Sequence, residues 1–252
     1  MKLSVIIPCK NEAGTVEKLL ECLVQQTRPV DEVIVVNSMS TDDTVKHALS
    51  FSDRLPIRIM HSDIPGVAIA RNLGGAAARG SILLFFDADI TIAPDFIERF
   101  LAQKQTRHLQ AGGFTQRMRS NILGIRLGGR LMNAYARVMQ YTPWPIAFSG
   151  LFSTKKAFTA LKGFDPELFI MEDYDYALRA KRAHYATGII TVPFFASDRR
   201  FLQEPAGTAW KGVYAELYRY THRLRVTKPL FRYEMGGPSP TDTDDDIARP
   251  SA

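Results

Sequence analysis

The chain is poor in cysteine: Cys9 and Cys22 are the only two in 252 residues. Two thiols make no disulfide framework, and both fall in predicted core elements, which suits a reducing cytoplasm. No run approaches the roughly 18 apolar residues of a membrane span. The start, Met1-Lys2-Leu3-Ser4-Val5, enters a strand with no charged segment ahead of a long apolar one, so no secretory signal is expected. The expected location is cytoplasmic, either free or peripheral at the inner face of the plasma membrane. The histidines, at 47, 61, 108, 184 and 222, show no metal-ligand spacing. Neither Gly-x-Gly-x-x-Gly after the first strand nor Gly-x-x-x-x-Gly-Lys-Ser/Thr occurs, so neither a dinucleotide fingerprint nor an NTPase phosphate loop is present. Internal repeats are absent. Gly124-x-x-x-Gly128 lies in an arginine-bearing segment, which argues against a transmembrane dimer motif.

What is abundant is positive charge. The net charge is +6, while the segment from Gly236 onward holds four aspartates and a single arginine; removing its net −3 leaves +9 on residues 1–235. A basic body suits phosphate-rich ligands, an anionic membrane face or nucleic acid, and charge alone does not choose among them. The Pro/Ser/Thr/Asp-rich segment 236–252 reads as a disordered acidic tail.

Strands and helices alternate in the first half. Strands are predicted at Lys2–Pro8, Glu32–Val36, Ile57–Met60 and Ile82–Phe86, with helices at Glu12–Gln26, after a Ser40/Asp43 capping box, and at Gly66–Arg79. This order implies a parallel sheet with helices on both faces. Further on, helices are predicted at Asp95–Lys104, Ile122–Tyr141 and Glu172–Ala183, and strands at Ala111–Thr115, Ile146–Thr154 and Gly188–Phe195. The expected organisation is one α/β domain over 1–235: a first half (1–90), a second half (91–200) and a helical appendage (201–235).

Chemistry concentrates at Asp87-Ala88-Asp89. The apolar run Ile82–Phe86 ends there, so two carboxylates sit at a strand's C-terminal end, where open α/β sheets bind ligands. Hard oxygen donors in that place suit Mg²⁺ or Mn²⁺, which keep waters and bridge to phosphates. Asp-x-Asp alone is also compatible with a solvated turn.

Five segments in order resemble the family 2 glycosyltransferases. They are Val5-Ile6-Ile7-Pro8-Cys9-Lys10-Asn11-Glu12, Val33–Asp42, Gly66–Gly74, Asp87-Ala88-Asp89, and Gly163-Phe164-Asp165 running to Glu172-Asp173-Tyr174-Asp175. The resemblance covers residues 3 to about 185. It implies a GT-A-type (Rossmann-like) mixed sheet flanked by helices, a UDP- or GDP-sugar donor, Mn²⁺ or Mg²⁺, and an inverting transfer to a glycan or lipid-linked acceptor in cell-envelope or surface glycan synthesis. By the same resemblance Pro8 and Glu12 line the nucleoside pocket, and Asn37 stands where the family usually carries a base-binding Asp. Arg71 lies near base or diphosphate, Asp87 contacts ribose or a metal-bound water, Asp89 ligates the metal, and Asp173 is the catalytic base. A single displacement needs only that one carboxylate. Asn37 departs from the pattern: an amide both donates and accepts, whereas a carboxylate only accepts. Asn72 and Gly74 either contact the donor or shape their helix. Asp175 and Arg179 either orient the base or touch diphosphate. Ser197-Asp198-Arg199-Arg200 is either a phosphate clamp or a solvated turn.

Two helices are basic and amphipathic. Ile122–Tyr141 carries Leu123, Leu127, Leu131, Tyr135 and Val138, with Arg126, Arg130 and Arg137 elsewhere. Trp210–Arg225 carries Trp210, Val213, Leu217, Tyr220 and Leu224 among Lys211, Arg219, Arg223 and Arg225. Such helices either lie on a membrane or pack their stripe on protein. Outside the transferase reading stand a nucleotidyltransferase and a non-catalytic module binding membrane or nucleic acid. The first would usually carry a Gly-rich basic loop after strand 1, and the second leaves the acidic residues unused, so no nucleic-acid partner is expected.

Overall fold

The computed structural model of the chain describes residues 1–145, 150–197, 210–211, 214–218, 221 and 226–227. Seven strands form one mixed sheet: β1 (Leu3–Cys9), β2 (Glu32–Asn37), β3 (Ile57–His61), β4 (Ile82–Phe86), β5 (Ala111–Arg119), β6 (Gly150–Thr154) and β7 (Thr187–Ser197). Their order is β3-β2-β1-β4-β6-β5-β7. The first four strands pair in parallel, β6 runs antiparallel between β4 and β5, and β7 pairs in parallel with β5.

Why the central strands read as unbroken apolar runs is now plain: β2 and β4 are buried at every position and β1 at all but Pro8. Helices α1 (Val16–Val24), α2 (Thr44–Leu49), α3 (Val67–Ala77) and α4 (Phe96–Thr106) supply the cover. Alternation sorts the side chains. Leu3, Val5, Ile7, Val33, Val35, Leu84 and Phe86 meet α1 and α4 on one face. Ile6, Ile34, Val36, Leu83 and Phe85 face α3 on the other, together with α7 (Glu172–Arg182). The chain leaves β1 toward β2 on one side and has β4 on the other, so a crevice opens at the C-terminal ends of β1 and β4.

Several boundaries differ from expectation. β5 extends to Arg119, a short helix α6 (Lys155–Ala160) appears, and α5 spans Leu123–Met139. The strand expected from Ile146 begins at Gly150, and 146–149 lie outside the described residues. Ser40 and Asp43 form no capping box. Asp42 Oδ1 instead accepts from the Thr44 amide at 3.0 Å, and Ser40 Oγ is taken by the Asn11 amide, also at 3.0 Å. Gly112, at φ +156°, packs so closely on β7 that a Cβ would lie 1.9 Å from the Gly188 carbonyl oxygen. The expected tail, Asp198-Arg199-Arg200 and much of the appendage lie outside the described residues. No helix among the described residues is long and apolar enough to cross a membrane.

Candidate active site

The site grows from the C-terminal ends of β1, β2 and β4. After β1 and β2 the chain makes two loops that are tied to each other. Asn11, in a left-handed conformation (φ 52°), donates its amide to Ser40 Oγ and accepts from the Thr41 amide at 2.9 Å. The Glu12 amide reaches Thr44 Oγ1 at 2.8 Å, and the Ala13 amide reaches Asp42 Oδ2 at 3.0 Å. Backbone donors of the loop ahead of α1 are thus satisfied from the neighbouring loop. Burial alone would raise the Asp42 pKa, but hydrogen bonds from Thr44 and Ala13 hold it below the ordinary value. Asn11 and Asp42 are organising residues with no role assigned from sequence. Their signal was the Asx-rich composition of both loops.

Pro8 and Glu12 flank the first loop. Glu12 is buried, and its carboxylate receives the Thr15 hydroxyl. Asn37, also buried, uses its side-chain oxygen to accept from the Ser40 amide at 3.1 Å, while its amide nitrogen lies 3.4 Å from His61 Nδ1. At position 37 a carboxylate could accept from Ser40 equally well but could not donate toward His61.

Arg71 projects from α3 and is 3 % exposed. The resemblance implied a place near base or diphosphate; the observed pairing is a buried one with two carboxylates. Nη2 donates to Asp87 Oδ1 at 2.7 Å and Nη1 donates to Glu172, while the guanidinium lies over the Phe164 ring, 5.5 Å from its centroid. Parity explains the meeting: Asp87 continues the Phe85 side of β4, the side that α3 and α7 cover. Burial disfavours the Arg71 charge, but Asp87, Glu172 and Asp173 outweigh it and hold the guanidinium charged. Nε is buried without a hydrogen-bond partner.

Glu172 and Asp173 open α7, immediately after Met171 in the left-handed region at φ 63°. A bulky side chain seldom adopts this conformation, and such strain is typical where side chains must be aimed. Asp173 accepts from the adjacent Tyr174 amide at 2.9 Å. Desolvation and then the Glu172 charge push its pKa up to about 8, against the pull of Arg71 and the Tyr174 amide. Asp173 retains some solvent exposure. A carboxyl with a pKa raised in this way is the property expected of a general base.

Four neighbours, Asp175, Arg179, Asn72 and Gly74, make contacts that shape the structure around the site. Arg179 pairs with Asp175 at 2.6 Å and donates to the carbonyls of Leu161 and Gly163 at 2.7 and 2.8 Å, so the two clamp the 161–163 turn. Asn72 brackets Phe164, accepting from its amide at 2.7 Å and donating to its carbonyl at 2.8 Å. Gly74 lets α3 approach β1: a Cβ there would lie 2.5 Å from Ile6.

Among the described residues no cluster of three or more His, Cys, Asp or Glu side chains is arranged around a common metal position. The donor set at Asp87 and Asp89 fits a different arrangement, a Mg²⁺- or Mn²⁺-type ion held by one or two carboxylates and completed by substrate phosphates and water. Asp87 is paired with Arg71, and Asp89 is the ligand that the family resemblance implies.

The profile of Glycosyl transferase family 2 matches residues 4–157. An uncharacterized glycosyltransferase, YibD, from Escherichia coli is 36% identical over 101 residues, 40% of this chain and 29% of its own length. A validoxylamine A glucosyltransferase from Streptomyces hygroscopicus is 36% identical over 104 residues, 40% of this chain and 25% of its own length. The matches thus cover between a quarter and a third of these relatives. Among solved structures, the mannosyltransferase PcManGT from Pyrobaculum calidifontis, in complex with GDP-Man and Mn²⁺, superposes with a TM-score of 0.66 at 23% identity, over 77% of this chain and 56% of its own. S. aureus TarS 1-349 with UDP-GlcNAc gives 0.63 at 19%, over 78% and 58%. These likenesses establish the GT-A fold. The family match spans more than half of the sequence, and the chain belongs to glycosyl transferase family 2 rather than to the nucleotidyltransferases.

Proposed function

We propose that the chain transfers a sugar from a nucleoside-diphosphate sugar, with UDP or GDP as the nucleotide, to a hydroxyl or phosphate acceptor, with inversion at the anomeric carbon. The observation that carries this reading is the joining of Asp87 to Glu172 through Arg71. It draws the Asp87–Asp89 pair and the Glu172–Asp173 helix start to one crevice. In the proposed reaction Asp173 takes the proton from the acceptor hydroxyl as that oxygen bonds to the anomeric carbon. The bond from that carbon to the diphosphate oxygen breaks, and the nucleoside diphosphate leaves. A divalent cation on Asp89, when bound, would neutralise charge developing on the leaving diphosphate. Pro8, Glu12 and Asn37 would line the nucleoside pocket, and Arg71 would hold Asp87 in place for the donor. PcManGT, with its GDP-Man and Mn²⁺, and TarS, with its UDP-GlcNAc, support the donor and metal classes by likeness of fold. The wider reading is a peripheral enzyme at the inner face of the plasma membrane, serving envelope or surface glycan synthesis on glycan or lipid-linked acceptors. Calorimetry with UDP and GDP, with Mn²⁺ or with EDTA, tests the core of this reading. Nucleotide binding should weaken on chelation and weaken similarly in Asp89→Ala, and equal affinity with and without metal would overturn the metal assignment. NMR of the product should show inverted anomeric configuration.

A further inference from the structure

Helix α5 shows an unusual division of its faces. Its buried residues are Gly129, Ala136 and Met139. Four of its large apolar residues point outward instead: Leu123 is 68 %, Leu127 51 %, Leu131 62 % and Val138 63 % exposed. Helical geometry sets these four in one ridge opposite the buried stripe. Gly129 eases the close approach of the helix to β5: a Cβ there would lie 3.0 Å from the Met118 side chain, which would have to shift to admit it. Asn133 locks the pair, accepting from the Gln116 amide at 2.9 Å and donating to its carbonyl at 2.6 Å.

Beside the ridge runs a groove of about 530 Å³ between α5 and β5, with Arg117, Arg126, Arg130 and Arg137 among its lining residues. None of the four forms an ion pair among the described residues, and α5 contains no Asp or Glu. Four like charges gathered with no ion-pair partner among the described residues repel one another and favour an anionic ligand.

A second helical stretch stands against α5. Tyr135 Oη donates to Glu216 Oε1 at 3.0 Å, and Ala215 is buried, while Trp210 and Leu217 are 65 % and 59 % exposed. Trp144, which follows α5, is exposed as well, so both tryptophans of the chain are open to solvent.

We propose that the α5 ridge and its arginine groove form a docking surface for an anionic phospholipid bilayer, with the leucines entering the headgroup boundary and lipid phosphates occupying the groove. The combination of apolar ridge, flanking arginines and exposed tryptophans matches what such an interface requires. Charge selects this occupant over the alternatives. A second copy on a two-fold axis would set arginine against arginine, and the acidic segment from 236 carries a single large apolar residue, Ile247, too little to cover the ridge. Lys181 on α7 donates to the carbonyls of Gln140 and Thr142 at 2.5 and 2.7 Å, fixing the end of α5 to the helix that begins with Glu172 and Asp173. Lys181 lies eight residues from Asp173, about 12 Å of helix. Docking would therefore bring the proposed base near a lipid-linked acceptor; that last step rests on the sugar-transfer reading, whereas the docking does not.

The test is co-sedimentation of the full chain with phosphatidylglycerol-containing and with neutral phosphatidylcholine vesicles, at low and high salt, together with tryptophan emission. Binding should favour the anionic vesicles, fall with salt, and blue-shift the emission. Arg126→Gln with Arg130→Gln should weaken it about 25-fold, about fivefold per charge. Leu127→Ser with Leu131→Ser should weaken it while leaving nucleotide binding by calorimetry and the melting curve unchanged, which separates failure of docking from failure of the transferase reading. A chain that stays in the supernatant in every condition overturns the proposal. So does equal binding to neutral vesicles, saturable binding of inorganic phosphate without vesicle binding, or an oligomer that Leu127→Ser with Leu131→Ser breaks while vesicles are ignored.

Discussion

Arg71 Nη2 donates to Asp87 Oδ1 across 2.7 Å while the other end of the same guanidinium holds Glu172. A buried cation between two carboxylates is costly to install, and removing it leaves the carboxylates uncompensated. Arg71→Met is expected to destabilise the fold by about 3–5 kcal/mol in chemical denaturation. Arg71→Lys keeps the charge but loses the fork that reaches both partners, and should recover only part of that stability. A loss below about 1 kcal/mol for Arg71→Met would contradict the central role given to this pair.

Asp173→Asn keeps size and hydrogen bonding but removes the proton acceptor. Turnover is expected to fall by about 10² to 10⁴ with little change in donor affinity. Steady-state kinetics beside nucleotide calorimetry separate the two effects. Near-normal turnover would remove Asp173 from the role of base.

The raised pKa of Asp173 gives a pH signature. A base must be ionised, so kcat/KM, which reports the free enzyme, should rise with pH through about 8 and level above it. The stability consequence has the opposite sense. Native Asp173 keeps a proton that the unfolded chain, near pKa 3.8, has released, so stability falls as pH rises from about 4 to about 8. Asp173→Asn should flatten both profiles, and a wild-type kcat/KM flat from pH 6 to 9 would falsify the assignment.

The central strands were legible because burial on both faces writes itself as continuous apolar sequence, as in Val33–Val36 and Ile82–Phe86. Asp87-Ala88-Asp89 was legible because a strand ends at Phe86. The Arg71–Glu172 contact was not, because 101 residues separate the partners and only the packing of α3 and α7 on one face brings them together. Asp175 and Arg179 were read as site candidates, yet their i, i+4 spacing serves a turn clamp. For α5, periodicity reported an apolar stripe without saying which way it faced. Gly129 and Ala136, small enough for close packing on β5, carried that information.

Asp42 ties the second loop to the first through the Ala13 amide and caps α2 through the Thr44 amide. Asp42→Ala removes both and leaves those donors unmet, for an expected loss of about 1–3 kcal/mol and weaker nucleotide binding. Because the folded pKa is lowered, the stability Asp42 contributes is fully present above its unfolded pKa near 3.8 and is lost as pH falls through the lower folded value. Melting curves between pH 3 and 7 should therefore show a shallower acid dependence in the variant than in the parent chain.

Gly163 sits at φ +70°, and a Cβ there would lie 2.2 Å from Asn72 Oδ1, the atom that accepts from the Phe164 amide. Gly163→Ala thus meets two obstacles, the left-handed backbone, at about 1–2 kcal/mol, and displacement of Asn72 from its bracket on Phe164. Asn72→Ala removes the second obstacle along with the bracket. The two changes should be non-additive: the double variant should lose less stability than the sum of the singles, with a coupling of about 1 kcal/mol in a denaturation cycle. Phe164 underlies the Arg71 guanidinium, so both single variants should also lower turnover by loosening Arg71. Strict additivity, or full turnover in Asn72→Ala, would separate the 163–164 turn from the active site.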